Sequence, residues 1–146
     1  MSCEFIKFTT HNTQLTTQNK VPHSIIEHSF PIPKDQSDAL LLMVNQTISK
    51  NAGNFNIYKC EARMAFRENF MIGSGDMEKD FIHITVKILE GRSLDMRQNL
   101  AENILKIIGD FLHEKKISIN SLSFSVVISE MTKESYQSTM INRINL

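Results

Sequence analysis

Apolar and polar residues change rhythm six times along this chain. His23 to Phe30 (HSIIEHSF) is a short mixed run that reads as a strand, closed by Pro31 and Pro33. Asp35 to Asn51 carries Ala39, Leu40, Met43, Val44, Thr47 and Ile48 at helical spacing, and Gly53, Asn54 and Asn56 supply turn chemistry after it. Tyr58, Cys60, Ala62, Met64 and Phe66 then alternate with Lys59, Glu61, Arg63 and Ala65, which predicts a half-buried strand with a charged face. Alternation returns in Phe81 to Ile88, with Ile82, Ile84, Val86 and Ile88 on one side and Phe81, His83, Thr85 and Lys87 on the other. Gly91-Arg92-Ser93 turns the chain. Ser93 is the expected N-cap of a second helix, and Asp95 in its first turn suits the helix dipole. Leu94, Leu100, Ala101, Ile104, Leu105, Ile108, Phe111 and Leu112 form its apolar stripe. Ser121 to Glu130 alternates once more, with Leu122, Phe124, Val126 and Ile128 inward.

Two halves, about 22–66 and 80–130, therefore repeat the order strand, helix, strand. The pattern predicts an α+β fold, a four-stranded sheet with two helices on one face. The other face, with His23, Ile25 and Phe81, stays uncovered and invites oligomerisation. Lys59, Glu61 and Arg63 belong on that face or at an edge. Residues 67–80 link the halves, with Gly73 and Gly75 suggesting a hairpin tip. Met131 to Leu146 reads as a polar tail that packs on a neighbouring subunit. Residues 1–20 are rich in Thr, Asn and Gln, and the composition breaks at Val21-Pro22. Residues 1–21 are expected to be an N-terminal extension, disordered or added by an overlong gene model, with 22–146 as a single domain.

Composition narrows the function classes. A length of 146 residues fits one domain, and a chain of this size buries roughly 70% of its unfolded surface without a disulfide or metal staple. Hydrophobic content of 41% and charged content of 22% argue against a disordered chain. Sixteen basic residues balance sixteen acidic ones, so a dedicated nucleic-acid binder is not expected. No run approaches the ~18 apolar residues of a membrane span, and no secretory leader is evident, so no membrane partner and a cytoplasmic location are expected. Two cysteines, Cys3 and Cys60, fit free thiols in a reducing compartment. Five scattered histidines lack ligand spacing, so no metal is expected.

PHSIIEHS at Pro22 to Ser29, DFIHITVKILEGRSLDMRQNLAENIL at Asp80 to Leu105 and LSFSVVISEM at Leu122 to Met131 carry a resemblance. Together they resemble the 5-carboxymethyl-2-hydroxymuconate Δ-isomerase family of the tautomerase superfamily, from Pro22 to about Arg143. The resemblance implies a tautomerase/MIF-like fold, a homotrimer with sites near subunit boundaries, and no cofactor. It implies proton transfer along a conjugated carboxylated dienol of aromatic catabolism, with an amino-terminal proline as base, here Pro22. A secondary amine in low-dielectric surroundings has a pKa near neutrality, which suits that task. Arg92 matches an arginine that the family uses for substrate. The family's second arginine falls on Glu61 in an ungapped alignment, so Arg63, with Lys59 as understudy, is expected to bind the small carboxylated substrate. Glu61 either pairs with Arg63 or repels a dianion. His23 and Phe81 are pocket candidates, with core packing the ordinary role of Phe81 and Phe66. His83 is expected to be a packed or hydrogen-bonded structural histidine.

One fact constrains this reading. With residues 1–21 attached, the Pro22 nitrogen is a tertiary amide without basicity. A start at position 21, read as valine from an alternative start codon, or proteolytic processing frees it. Two alternatives remain open: a non-catalytic trimer that binds a small anion or partner, and a related tautomerase acting on another substrate, by phenylpyruvate-type tautomerisation or water addition.

Overall fold

Strict alternation on one strand and a stripe on each helix give the molecule two layers. The computed structural model describes residues 21–52, 56–75 and 77–138. The elements are β1 (His23–His28), α1 (Lys34–Asn51), β2 (Glu61–Phe66), β3 (Lys79–Leu89), α2 (Leu94–Glu114) and β4 (Ser121–Met131). On β3, Ile82, Ile84, Val86 and Ile88 are fully buried beneath the helices. Leu40, Val44 and Ile48 of α1 and Leu100, Ile104 and Ile108 of α2 meet them, together with Ile26 of β1. Each such aliphatic side chain contributes about 1.5–3 kcal/mol through burial. Ser93 caps α2, its Oγ accepting from the Met96 amide at 3.2 Å. Pro33 precedes α1 with no side-chain cap.

The strand order is β2-β1-β3-β4. β1 runs parallel to β2 and antiparallel to β3, and β3 runs parallel to β4. A parallel pair needs a long crossover, which α1 and α2 supply on one face. At one end of the central seam, Asp80 accepts from the Ser29 hydroxyl and the Asn120 amide, each at 2.9 Å. The other sheet face holds His23, Ile25, Phe81, His83 and Thr85, all half-buried, and no helix packs on it among the described residues.

Several expectations change. β1 stops at His28 rather than Phe30. β2 begins at Glu61, because residues Ile57–Lys59 form a 3-10 turn capped by Asn56 and leave Tyr58 92% exposed. Lys59 therefore lies outside the period-two face of Glu61 and Arg63. Gly73 and Gly75 do adopt left-handed φ of 60° and 81°, but β1 separates β2 from β3, so their segment is a crossing connection and not a hairpin tip. Leu94 and Leu105 fall off the buried stripe, at 57% and 40% exposure. Residues 1–20, with Cys3, lie outside the described residues, as do Gly53, Asn54 and the tail from 139 onward.

Candidate active site

Pro22 immediately precedes β1, and its ring is fully buried on the helix side, where Ser24 also points. Its carbonyl accepts from the Glu61 amide at 3.0 Å, which continues the parallel ladder by one step. That register sets His23 opposite Glu61 and Ile25 opposite Arg63, all on the uncovered face. The Glu61 carboxylate Oε2 lies 3.0 Å from Arg63 Nη2 and 3.3 Å from His23 Nδ1. Of the two roles expected for Glu61, pairing with Arg63 is the one visible in the geometry. Both partners are about half exposed, so water screens the pair.

Arg92 approaches the same end of the sheet from the helix layer. Its Nε donates to the Ala52 carbonyl and its Nη1 to the Leu89 carbonyl, each at 3.2 Å. Leu89 follows Lys87, the partner of His23, by two residues. Burial pulls the Arg92 pKa down, and the guanidinium nonetheless remains a cation. A cation just before a helix N-terminus faces the unfavourable end of the dipole, and the two carbonyls offset this. Pro22 and Arg92 thus sit on the helix side of this sheet end, while His23, Glu61 and Arg63 sit on the uncovered side.

Phe81 does not join this group within the chain. It is six residues from Lys87 along β3, about 20 Å away, because β3 runs antiparallel to β1. Its ring meets Phe70 edge-on, with centroids 5.4 Å apart. Phe66 lies on the opposite face and stacks on His28, so the two phenylalanines line no common pocket. His83 is hydrogen-bonded to Ser125 at 2.7 Å and to Thr85 at 3.3 Å. Lys59 is half-buried in the turn before β2. A cleft of about 460 Å³ lined by Phe70, Met71, Met77 and Asp80 lies at the far end of the sheet. Among the described residues no group of three or more His, Cys, Asp or Glu side chains is placed to hold a metal ion. None of their helices is long and apolar enough to cross a membrane. Cys60 is a buried free thiol whose pKa burial pushes up to about 11, which keeps it protonated and unreactive.

Tyr136 is the site residue that sequence reasoning missed. After β4 the chain turns back through Thr132–Ser135, held where the Lys133 amide donates to Glu90 Oε1 at 3.1 Å. The turn brings the Tyr136 hydroxyl 3.1 Å from His23 Nε2 and 3.4 Å from the Val21 carbonyl oxygen. This part of the expected tail thus packs on its own chain. A lone tyrosine in a polar segment gives no periodic signal that would have marked it.

Comparison with known proteins bears on this arrangement. The sequence pattern of the family described as 5-carboxymethyl-2-hydroxymuconate isomerase matches residues 22–144. An Escherichia coli 5-carboxymethyl-2-hydroxymuconate Delta-isomerase is 30% identical over 90 residues, covering 60% of this chain and 70% of that protein. The crystal structure of a 5-carboxymethyl-2-hydroxymuconate isomerase from Deinococcus radiodurans superimposes with a TM-score of 0.71 at 18% identity, covering 83% and 90% of the two chains. A fused wild-type 4-OT, a symmetric trimer, superimposes with a TM-score of 0.63 at 14% identity, covering 84% and 94%. The fold is the tautomerase/MIF-like sandwich, and the chain belongs to the 5-carboxymethyl-2-hydroxymuconate isomerase family.

Proposed function

We propose that this protein is a cofactor-free isomerase of unsaturated, carboxylated dienols resembling 5-carboxymethyl-2-hydroxymuconate, with Pro22 as its base. The observation that carries this reading is the position of Pro22, at the head of a central strand, buried at the sheet end that Arg92 reaches. In a chain that begins at Pro22 the nitrogen is a secondary amine, and burial there would disfavour the cation. The amine takes the hydroxyl proton of the dienol and returns it to a carbon of the conjugated chain. A C=O bond forms as the double bond shifts, and the molecular formula is unchanged. Arg92 and Arg63 hold the carboxylates and offset charge on the forming carbonyl, with Lys59 as understudy to Arg63. A homotrimer fits the uncovered sheet face and the trimeric 4-OT of the same fold.

Glu61 favours keeping a second reading, a tautomerase for another substrate. A carboxylate already paired with Arg63 leaves less positive charge for a dianion. For a chain that retains Val21, the tertiary amide leaves anion binding without proline catalysis.

The test compares Met1–Leu146 with a chain that begins at Pro22, following ketonisation of 5-carboxymethyl-2-hydroxymuconate by ultraviolet absorbance. Turnover is expected only from the shorter chain. Pro22→Ala in that chain should lower kcat by at least about a hundredfold, and unchanged turnover would remove Pro22 as the base. The intact mass of the protein from its own gene tells which form the cell makes.

A further inference from the structure

Three contacts meet at the Tyr136 hydroxyl and His23. Glu61 Oε2 faces His23 Nδ1 at 3.3 Å, His23 Nε2 faces the phenol oxygen at 3.1 Å, and the phenol faces the Val21 carbonyl at 3.4 Å. Counting hydrogens orders them. A carboxylate and a carbonyl oxygen only accept, and the phenol has one hydrogen to give. If His23 carried hydrogen on Nδ1 alone, Nε2 would claim the phenol hydrogen and the Val21 oxygen would receive none. With hydrogen on both ring nitrogens all three bonds form together. Nδ1–H then donates to Glu61, Nε2–H donates to the phenol oxygen, and the phenol O–H donates to the Val21 oxygen.

The last acceptor in this chain is the oxygen of the residue before Pro22. A chain that begins at Pro22 lacks that oxygen and keeps the oriented phenol. We propose that Tyr136 is a substrate-contacting residue, donating its phenol hydrogen to a carbonyl or carboxylate oxygen where the Val21 oxygen now accepts it. This rests on the reading of Pro22 as the first residue of the active chain. His23 and Glu61 are then positioning residues. They aim the phenol and polarise it from behind, so that its hydrogen bond strengthens as negative charge develops on the acceptor. The class of ligand follows: an acid with an oxo or carboxylate oxygen that reaches the mouth of the site while its dienol faces Pro22.

The experiment uses the chain that begins at Pro22 and its Tyr136→Phe variant, which keeps the ring edge against His23. Isomerisation kinetics are measured together with calorimetric binding of 2-oxoadipate, a 2-oxo dicarboxylate used as probe. Loss of one hydrogen bond to a charged acceptor should lower kcat/KM and weaken probe binding by about tenfold or more. Glu61→Gln, which leaves the phenol in place, should lower kcat with a smaller change in KM. Equal kinetics and equal probe binding in the parent and Tyr136→Phe would overturn the role of Tyr136 and leave the isomerase reading standing. A parent chain that neither isomerises nor binds the probe would overturn both.

Discussion

His28 shows what burial does to a single titrating group in this fold. The side chain is 5% exposed, its Nδ1–H donates to the Phe30 carbonyl at 2.7 Å, and its ring stacks on Phe66. Burial pushes its pKa below the ordinary 6.5, and the Phe30 carbonyl only partly opposes that. The unfolded chain binds the proton at higher pH than the folded one. The stabilising contribution is therefore complete above 6.5 and is lost as pH falls through the lower folded value. The urea midpoint should fall between pH 7.5 and pH 5, and His28→Gln should fall less over the same interval. Equal falls in both proteins would show that another group carries the acid sensitivity. Residue-scale partnerships such as this were hardly legible in the sequence. His28 had no role there, and the pairing of His23 with Glu61 needs the parallel register, which links positions 38 apart that no local pattern connects.

At the scale of the element, legibility was high wherever burial imposes a period. The three buried isoleucine positions and the valine position between them on β3, and the stripe of α2, follow directly from spacing. Errors fall at margins. Leu105 neighbours Ile104 in sequence, yet the 100° turn between them carries Leu105 toward solvent, and Leu94 opens the helix before its stripe meets the sheet. These two leucine positions and Ile104 separate packing from mere composition. Ile104→Ala should cost about 2–5 kcal/mol in equilibrium denaturation. Leu105→Ala should stay within about 0.5 kcal/mol. Comparable losses at both positions would mean that α2 is rotated from the orientation described. β2 began late for a related reason: Asn56 accepts from the Tyr58 amide at 3.0 Å and winds the next residues into a turn before any ladder forms.

For the whole molecule, the feature that bears on the proposed trimer is the sheet face that no helix covers among the described residues. His83, Ser125 and Thr85 join in a polar cluster at its centre, with Ile25 and Val127 nearby. A trimer that packs this face excludes added charge from it. Sedimentation should find the parent at three chain masses and Thr85→Lys at one, and a trimeric Thr85→Lys would move the subunit contact elsewhere. The fold class was readable from the two repeated halves, whereas the strand order was not. Nothing in residues 67–80 says that the chain must cross over β1 rather than turn straight back.

That crossing gives the molecule a property of its own. Each strand–helix–strand half is complete, and the halves meet along the β1–β3 ladder, which Asp80 closes at one end. Their covalent link passes through an exposed stretch around Met71 and Gly73 that belongs to no strand. Continuity of the polypeptide at that point is therefore dispensable to the seam. Two separately made fragments would still share the β1–β3 ladder, the packing of α1 on α2 and the Ser29–Asp80, Arg92–Ala52 and Asn51–Asn103 bonds, and the stretch between them is where an inserted peptide should disturb the fold least.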